Sequence, residues 1–194
     1  LLTLARLGVG KFSIADFDTF DIVNFNRQVG AMVSTIGRPK IDVLSEMLKD
    51  INPDVELRVF PEGVQDHNLD AFLEGVDVYV DGLDFFVFEA RRATFKACEK
   101  KQIPAVTAAP LGLGTALLVF APGGMKFEDY FGFSHCKDEL DLAIHFLVGL
   151  SPAMLQRGYV ADMSRVNLHE RRGPSCIAAC QMCAGVTAVE VLKL

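Results

Sequence analysis

The sequence has no excess of basic charge. Nineteen Lys and Arg stand against 25 Asp and Glu, giving a formal net charge of −6 and a pI near 5.2. That argues against a general nucleic-acid or anionic-membrane surface. A long apolar run is also missing. The uncharged stretch from Thr107 to Met125 is broken by Pro110, Pro122, Gly112, Gly114, Gly123 and Gly124, which reads as strands and turns and excludes a membrane-spanning helix there. Leu1-Leu2-Thr3-Leu4-Ala5-Arg6 has no basic n-region and is too short for a secretory signal. Internal repeats and low-complexity linkers are absent. The five cysteines form no paired framework, which suits a reducing, cytoplasmic compartment. Cys180-Gln181-Met182-Cys183 has no second pair to complete four ligands, so zinc is not expected.

What is present is a globular pattern. At 194 residues and 51% hydrophobic content the chain suits one domain with a full core. Leu1 to Leu7 reads as the end of a helix closed by Gly8, and Lys11 to Phe17 as a strand burying Phe12, Ile14 and Ala15. Thr19 to Ser34 is polar and irregular, with a short helix at Asn26. Pro39 presets a first helical turn, and Ile41, Leu44, Leu48 and Ile51 recur at helical spacing. Further strands are expected at Val55–Phe60, Val76–Val80, Ala105–Ala108 and Thr115–Phe120. Helices are expected at Asn68–Leu73, Phe86–Lys101, Glu139–Leu150 and Cys176–Leu194, with Leu140, Ile144 and Leu147 facing inward on the third. The alternation predicts an α/β fold: a Rossmann-like, doubly wound, mostly parallel sheet with helices on both faces. Residues 1–122 form its core. Residues 123–194 form a crossover or lid segment and a closing helix of the same domain, with 123–174 the least regular part. Both ends fall inside helical patterns without caps, which predicts further sequence on either side.

In such a sheet, ligands bind beyond the carboxyl ends of the strands. Asp16 and Asp18 end the first strand, where a carboxylate can accept from ribose hydroxyls; Asp-x-Asp is also an ordinary turn. Arg27 offers a planar fork suited to phosphate oxygens, and Lys40 opens a helix whose amides favour anions; each alone reads more readily as a solvated cation, and together, behind an acid-ended strand, they favour phosphate. Asp81-Gly82-Leu83-Asp84 ends the third strand. A carboxylate there suits Mg²⁺, which takes few protein ligands, or caps the helix that follows. Asp81 is read as structural and Asp84 as the functional acid.

These segments, taken in order, resemble the ThiF/MoeB/HesA superfamily, the adenylating domain shared with ubiquitin-activating enzymes. The resemblance rests on Leu4-Ala5-Arg6-Leu7-Gly8-Val9-Gly10, Asp16-Phe17-Asp18, Asn24-Phe25-Asn26-Arg27-Gln28, Gly37-Arg38-Pro39-Lys40, Asn52-Pro53 and Asp81-Gly82-Leu83-Asp84. It is specific from Leu1 to about Phe120 and weaker beyond.

The resemblance implies an adenylyltransferase. Such an enzyme uses ATP and Mg²⁺ to activate a carboxylate, commonly the C-terminal glycine of a small ubiquitin-like or sulfur-carrier protein, as an acyl-adenylate with release of pyrophosphate. It implies nucleotide binding by Asp16, Asp18, Asn24, Arg27, Gln28 and Lys40, catalytic roles for Arg27, Lys40 and Asp84, Mg²⁺ at Asp84, and a homodimer. The chain departs from the pattern in two places. The family's first strand and glycine-rich phosphate loop are not found: Gly8-Val9-Gly10 precedes a strand, and Gly112-Leu113-Gly114 lacks the helix context. Phe85 stands where relatives commonly carry a polar residue. Some relatives also pass the acyl group or sulfur to a cysteine. Cys136, between His135 and Lys137, is the candidate reactive thiol here, since those neighbours can lower its pKa; it reads also, and more readily, as an ordinary exposed loop thiol. Cys98 reads as core. Cys176, Cys180 and Cys183 read as a packed helix face. His67, His145 and His169 read as local or surface residues. Arg171-Arg172-Gly173 reads as a solvated turn or a contact for a carrier's acidic surface. The alternative functions are an inactive nucleotide-binding or dimerisation scaffold of the same fold and a nicotinamide dehydrogenase.

Overall fold

Helix and strand signals in the sequence become seven helices and five strands among the described residues of a computed structural model, which describes residues 1–160, 167, 173 and 175–194. The chain packs as two compact units, Leu1–Val76 and Asp77–Leu194. The sequence division at 122/123 separates regions of different regularity; the packing division falls between Val76 and Asp77.

In the first unit, α1 (Leu2–Arg6) ends before Gly8, whose φ of +95° lies in the region that favours glycine. Strands β1 (Lys11–Ala15) and β2 (Glu56–Phe60) pair in parallel, Lys11 opposite Glu56 and Ala15 opposite Phe60. Phe12, Ile14 and Ala15 are half-buried rather than fully buried. Pro39 is the N-cap of α2 (Lys40–Ile51), and Asn52 ends that helix in an extended conformation before Pro53. Helix α2 buries Ile41, Val43 and Leu48, and Leu44 is half-buried. The short helix expected at Asn26 is a 3₁₀ turn over Ile22–Asn24. Helix α3 (Leu69–Phe72) sets Phe72 edge-on against Phe60, their centroids 5.4 Å apart.

In the second unit, β3 (Tyr79–Asp81) pairs in parallel with β4 (Ala105–Leu111), and β4 pairs antiparallel with β5 (Gly114–Phe120). Gly112 and Leu113 form the hairpin loop, with φ +60° at Gly112, so this glycine pair makes a turn. Helices α4 (Phe88–Lys101), α5 (Phe127–Phe131), α6 (Glu139–Leu150) and α7 (Ile177–Val191) complete the unit, and α7 packs on β4 and β5.

Phe85, Phe88, Phe131 and Phe133 all meet Phe146 of α6, at centroid distances of 5.1, 5.8, 5.0 and 6.4 Å. That cluster corrects the face expected for α6. Ala143, Phe146 and Leu150 are buried, whereas Ile144 is 42% exposed and Leu140 and Leu147 are half-buried. The helix is apolar nearly all round, so aromatic packing decides its rotation. Cys98 and Cys183 are buried; Cys176 and Cys180 are half-buried. His169, Arg171 and Arg172 lie outside the described residues. No described helix is long and apolar enough to cross a membrane.

Candidate nucleotide site

The first unit gathers Asp16, Asp18 and Lys40 at the carboxyl end of β1. Asp16 directly follows the strand, and its Oδ1 accepts the Asp18 N–H at 2.8 Å. Asp18 Oδ2 then accepts from Lys40 Nζ at 2.9 Å, and the Asp18 carbonyl accepts the Lys40 N–H at 2.8 Å. An antiparallel bridge between Thr19 and Pro39, and the Phe20 N–H donating to the Arg38 carbonyl, hold the two segments together. The Lys40 side chain is 11% exposed and that of Asp18 56%. The pair therefore sits at the rim, with the ammonium drawn inward.

Phe20 and Ala31, which flank the Asn24–Gln28 segment in sequence, pack on the same helix. Phe20, Ala31 and Val43 form a buried cluster with Met47 packed against it. Gly30 lies so close to the Phe20 ring that an added Cβ would stand 2.5 Å from Cζ. Asn24 is 6% exposed, and its Oδ1 accepts the Asp21 N–H at 3.0 Å. Its amide nitrogen remains a donor. Arg27 Nη1 donates to the Val23 carbonyl at 2.8 Å and to Asn26 Oδ1 at 3.0 Å. Arg27 has no carboxylate partner among the described residues, and its Nε and Nη2 are without an acceptor there. This charged fork is held in place by neutral groups only. Gln28 is half-buried, its N–H bonded to the Asn24 carbonyl at 2.9 Å.

The second unit presents the Asp81–Val87 loop at the carboxyl end of β3. Asp81 is buried and bonded to Arg91 Nε and Thr107 Oγ1, both at 2.8 Å, so it is structural as read from the sequence. Asp84 is exposed. Its Oδ1 accepts the Phe86 N–H at 3.1 Å, and Oδ2 has no partner among the described residues, which leaves it open to a hard cation. Helix α4 starts with Val87 as N-cap and no side-chain cap, so Asp84 turns the loop without capping the helix. Phe85 packs on Phe86, Phe88 and Phe146 as part of the aromatic cluster.

The expected activation of Cys136 by His135 and Lys137 is corrected. Burial and the nearby Asp141 push the thiol pKa up, and Arg92 only partly offsets them. Burial is the largest cause, Asp138 adds to it, and Sγ lies 3.9 Å from the Gly132 carbonyl. Among the described residues no group of three or more His, Cys, Asp or Glu could hold a metal ion. His145 Nδ1 lies 2.8 Å from the Phe131 carbonyl, a local structural contact, and His67 Nε2 lies 3.9 Å from Glu62. A cleft of about 300 Å³ lined by Phe95, Cys98, Ile103, Phe120 and Phe127 lies beside Ala105, the first residue of β4. That is the strand end opposite to Asp81 and Asp84 in this unit.

The sequence reading missed Arg91. Nothing in Glu89-Ala90-Arg91-Arg92 marks one arginine as buried, because most of its acceptors are backbone carbonyls. Its helical spacing from Phe88 and Phe95, both core residues, was the available signal.

The ThiF family pattern matches residues 1–194. The tRNA threonylcarbamoyladenosine dehydratase of Bacillus subtilis is 34% identical over 105 residues, covering 54% of this chain and 41% of that protein. The sulfur carrier protein ThiS adenylyltransferase of Escherichia coli is 31% identical over 121 residues, covering 62% of this chain and 47% of that protein. The chain thus spans less than half the length of these two relatives. Among solved structures, E. coli MccB with ATP superposes with a TM-score of 0.64 at 18% identity, covering 99% of this chain and 51% of that one, a likeness of fold. A match over the whole chain, on an α/β fold with acids ending its parallel strands, places the chain in the ThiF family.

Proposed function

We propose that this chain is an ATP-dependent adenylyltransferase of the ThiF/MoeB type. In this reading it activates a carboxylate, the C-terminal glycine of a small ubiquitin-like or sulfur-carrier protein. A carboxylate oxygen attacks the α-phosphorus, the bond to the bridging oxygen breaks, and pyrophosphate leaves with that electron pair. The nucleophile is already ionised at neutral pH, so positioning and charge stabilisation carry the chemistry. The observation that carries this reading is Arg27: a guanidinium held by the Val23 carbonyl and Asn26, with Nε and Nη2 unused among the described residues. That arrangement suits a phosphate oxygen.

The other roles in this reading are supported by the local hydrogen bonding. Asp16 accepts from the ribose hydroxyls with the oxygen that Asp18 leaves open. Asp18 holds Lys40, whose ammonium faces phosphate charge at the helix start, and Asn24 and Gln28 donate from the same segment. Asp84 would hold a divalent cation, which would supply charge neutralisation for a phosphate leaving group. A cytoplasmic setting is supported by five free cysteines. A homodimer is supported by exposed apolar side chains on the first unit, Ile22, Val23 and Val33 at 67, 64 and 89%.

The dehydratase relative favours a second reading, in which the substrate carboxylate belongs to a tRNA nucleoside. The net charge of −6 weighs against it. ATP–pyrophosphate exchange, run with Mg²⁺ and a panel of carrier proteins and tRNA, tests the proposal. Exchange with a carrier bearing a free C-terminus, and none with the amidated carrier, is expected. ATP binding without exchange for any carboxylate points to a scaffold, and NADH binding without ATP binding to a dehydrogenase.

A further inference from the structure

We infer that Arg91 is a positioning residue for Asp84: the loop that carries the proposed metal ligand is moulded on a single buried guanidinium. The inference rests on the assignment of Asp84 to the divalent cation.

Each of the five N–H groups of an arginine is spoken for here. Nε donates to Asp81 Oδ2 at 2.8 Å, Nη1 to the carbonyls of Phe85 and Val87 at 3.1 and 3.2 Å, and Nη2 to those of Leu83 and Asp84 at 2.8 and 2.9 Å. Four carbonyls between positions 83 and 87 therefore converge on one planar group. With its carbonyl pinned, Asp84 has its backbone position fixed from within, and its side chain is left on the exposed side of the loop.

The guanidinium is itself fixed from three directions. Asp81 is 2% exposed and held by Thr107 Oγ1 at 2.8 Å and by the Leu83 N–H at 3.1 Å. The Phe146 ring lies over the guanidinium carbon at 4.7 Å. Helix α4 supplies the stem. A lysine at position 91 would keep the charge but offers three donors on a flexible stem, so it cannot gather four carbonyls and a carboxylate at once. Residues behind a metal ligand orient it, and their loss commonly weakens metal affinity.

A merely structural Arg91 would change stability alone; a positioning Arg91 changes the cation affinity of the folded protein. The test is Mn²⁺ binding in the presence of ATP, read by the loss of the free-ion paramagnetic resonance signal, on the whole protein. For Arg91→Lys, the half-saturating Mn²⁺ concentration is expected to rise about tenfold while ATP affinity without divalent cation stays unchanged. A value within about twofold of wild type, below the shift that orienting residues give, overturns the inference. If Arg91→Lys does not fold, Thr107→Val replaces it, with a rise of about threefold expected from loosening Asp81. No change in Thr107→Val overturns the inference equally. Failure of the underlying assignment reads differently: wild type then shows no ATP-dependent Mn²⁺ binding, or Asp84→Asn binds Mn²⁺ as wild type does.

Discussion

Nε of Arg91 lies 2.8 Å from Oδ2 of Asp81, and both side chains are 2% exposed. This buried pair joins the last residue of β3 to the first half of α4. Its desolvation is offset by Thr107, the Leu83 N–H and the loop carbonyls. Removing one partner leaves the other charge buried and unmatched. Arg91→Met and Asp81→Asn are each expected to lower unfolding free energy by about 3–5 kcal/mol. The double variant is expected to cost less than the sum. Urea denaturation of the two single variants and the double variant measures both effects.

Gly30 packs against Phe20 with no room for a methyl group. Gly30→Ala is expected to cost about 1–3 kcal/mol from overpacking. It should also weaken ATP binding, because Phe20 and Ala31, which pack with Val43 of α2, flank the Asn24–Gln28 segment in sequence. Phe20→Leu in the same chain should recover part of both losses. Thermal denaturation and nucleotide titration on the two variants check this.

Lys40 and Asp18 divide their duties. Lys40→Met is expected to lower ATP affinity by about tenfold or more, the worth of one charge-assisted hydrogen bond to phosphate. Asp18→Asn breaks a pair whose carboxylate is 56% exposed, so its stability cost should stay within about 1 kcal/mol. Calorimetric titration with ATP, paired with thermal melts, separates the two.

Cys98 links stability to alkaline pH. Burial pushes its thiol pKa up to about 12, whereas an unfolded cysteine ionises near pH 8.5. Between those values the unfolded chain loses a proton that the folded chain keeps, so stability falls as pH rises. The slope reaches about 1.4 kcal/mol per pH unit. Below pH 8 the contribution is fully present. Cys98→Ala should be less stable at pH 7, yet should lose less stability than wild type between pH 8.5 and 10.5. Chemical denaturation of both proteins across that range reads the difference in slope.

Much of this fold was legible because its signals were local. Pro39 and Asn52-Pro53 bracket α2, Gly8 closes α1, and apolar spacing gave α6 both its ends. The rotation of α6 was not legible, because a helix apolar on most sides carries no preferred face until Phe146 finds Phe85 and Phe131. The start of β3 at Tyr79 rather than Val76 reflects its ladder, which pairs Tyr79–Asp81 with Ala105–Thr107. In the candidate site, the residue types and their order were readable, and so was the structural character of Asp81. The Asp18–Lys40 pair spans 22 residues of sequence, and the acceptors of Arg91 are mostly carbonyls; neither leaves a trace in a one-dimensional pattern. The raised pKa of Cys136 was hidden because burial, its largest cause, is set by tertiary packing, and the acids Asp141 and Asp138 outweigh the cations beside it in sequence.

Arg27, Asp16 and Lys40 of the first unit are proposed to serve a nucleotide, and Asp84 of the second a divalent cation. The most direct test is ATP titration of the whole protein by calorimetry, with and without Mg²⁺, in wild type, Arg27→Ala and Asp84→Asn. Wild type should bind ATP in both conditions, more tightly with Mg²⁺. Arg27→Ala should lose about tenfold or more in affinity in either condition, and Asp84→Asn should lose only the enhancement by Mg²⁺. A wild-type protein that takes up no ATP, or variants that bind it as wild type does, would contradict the account.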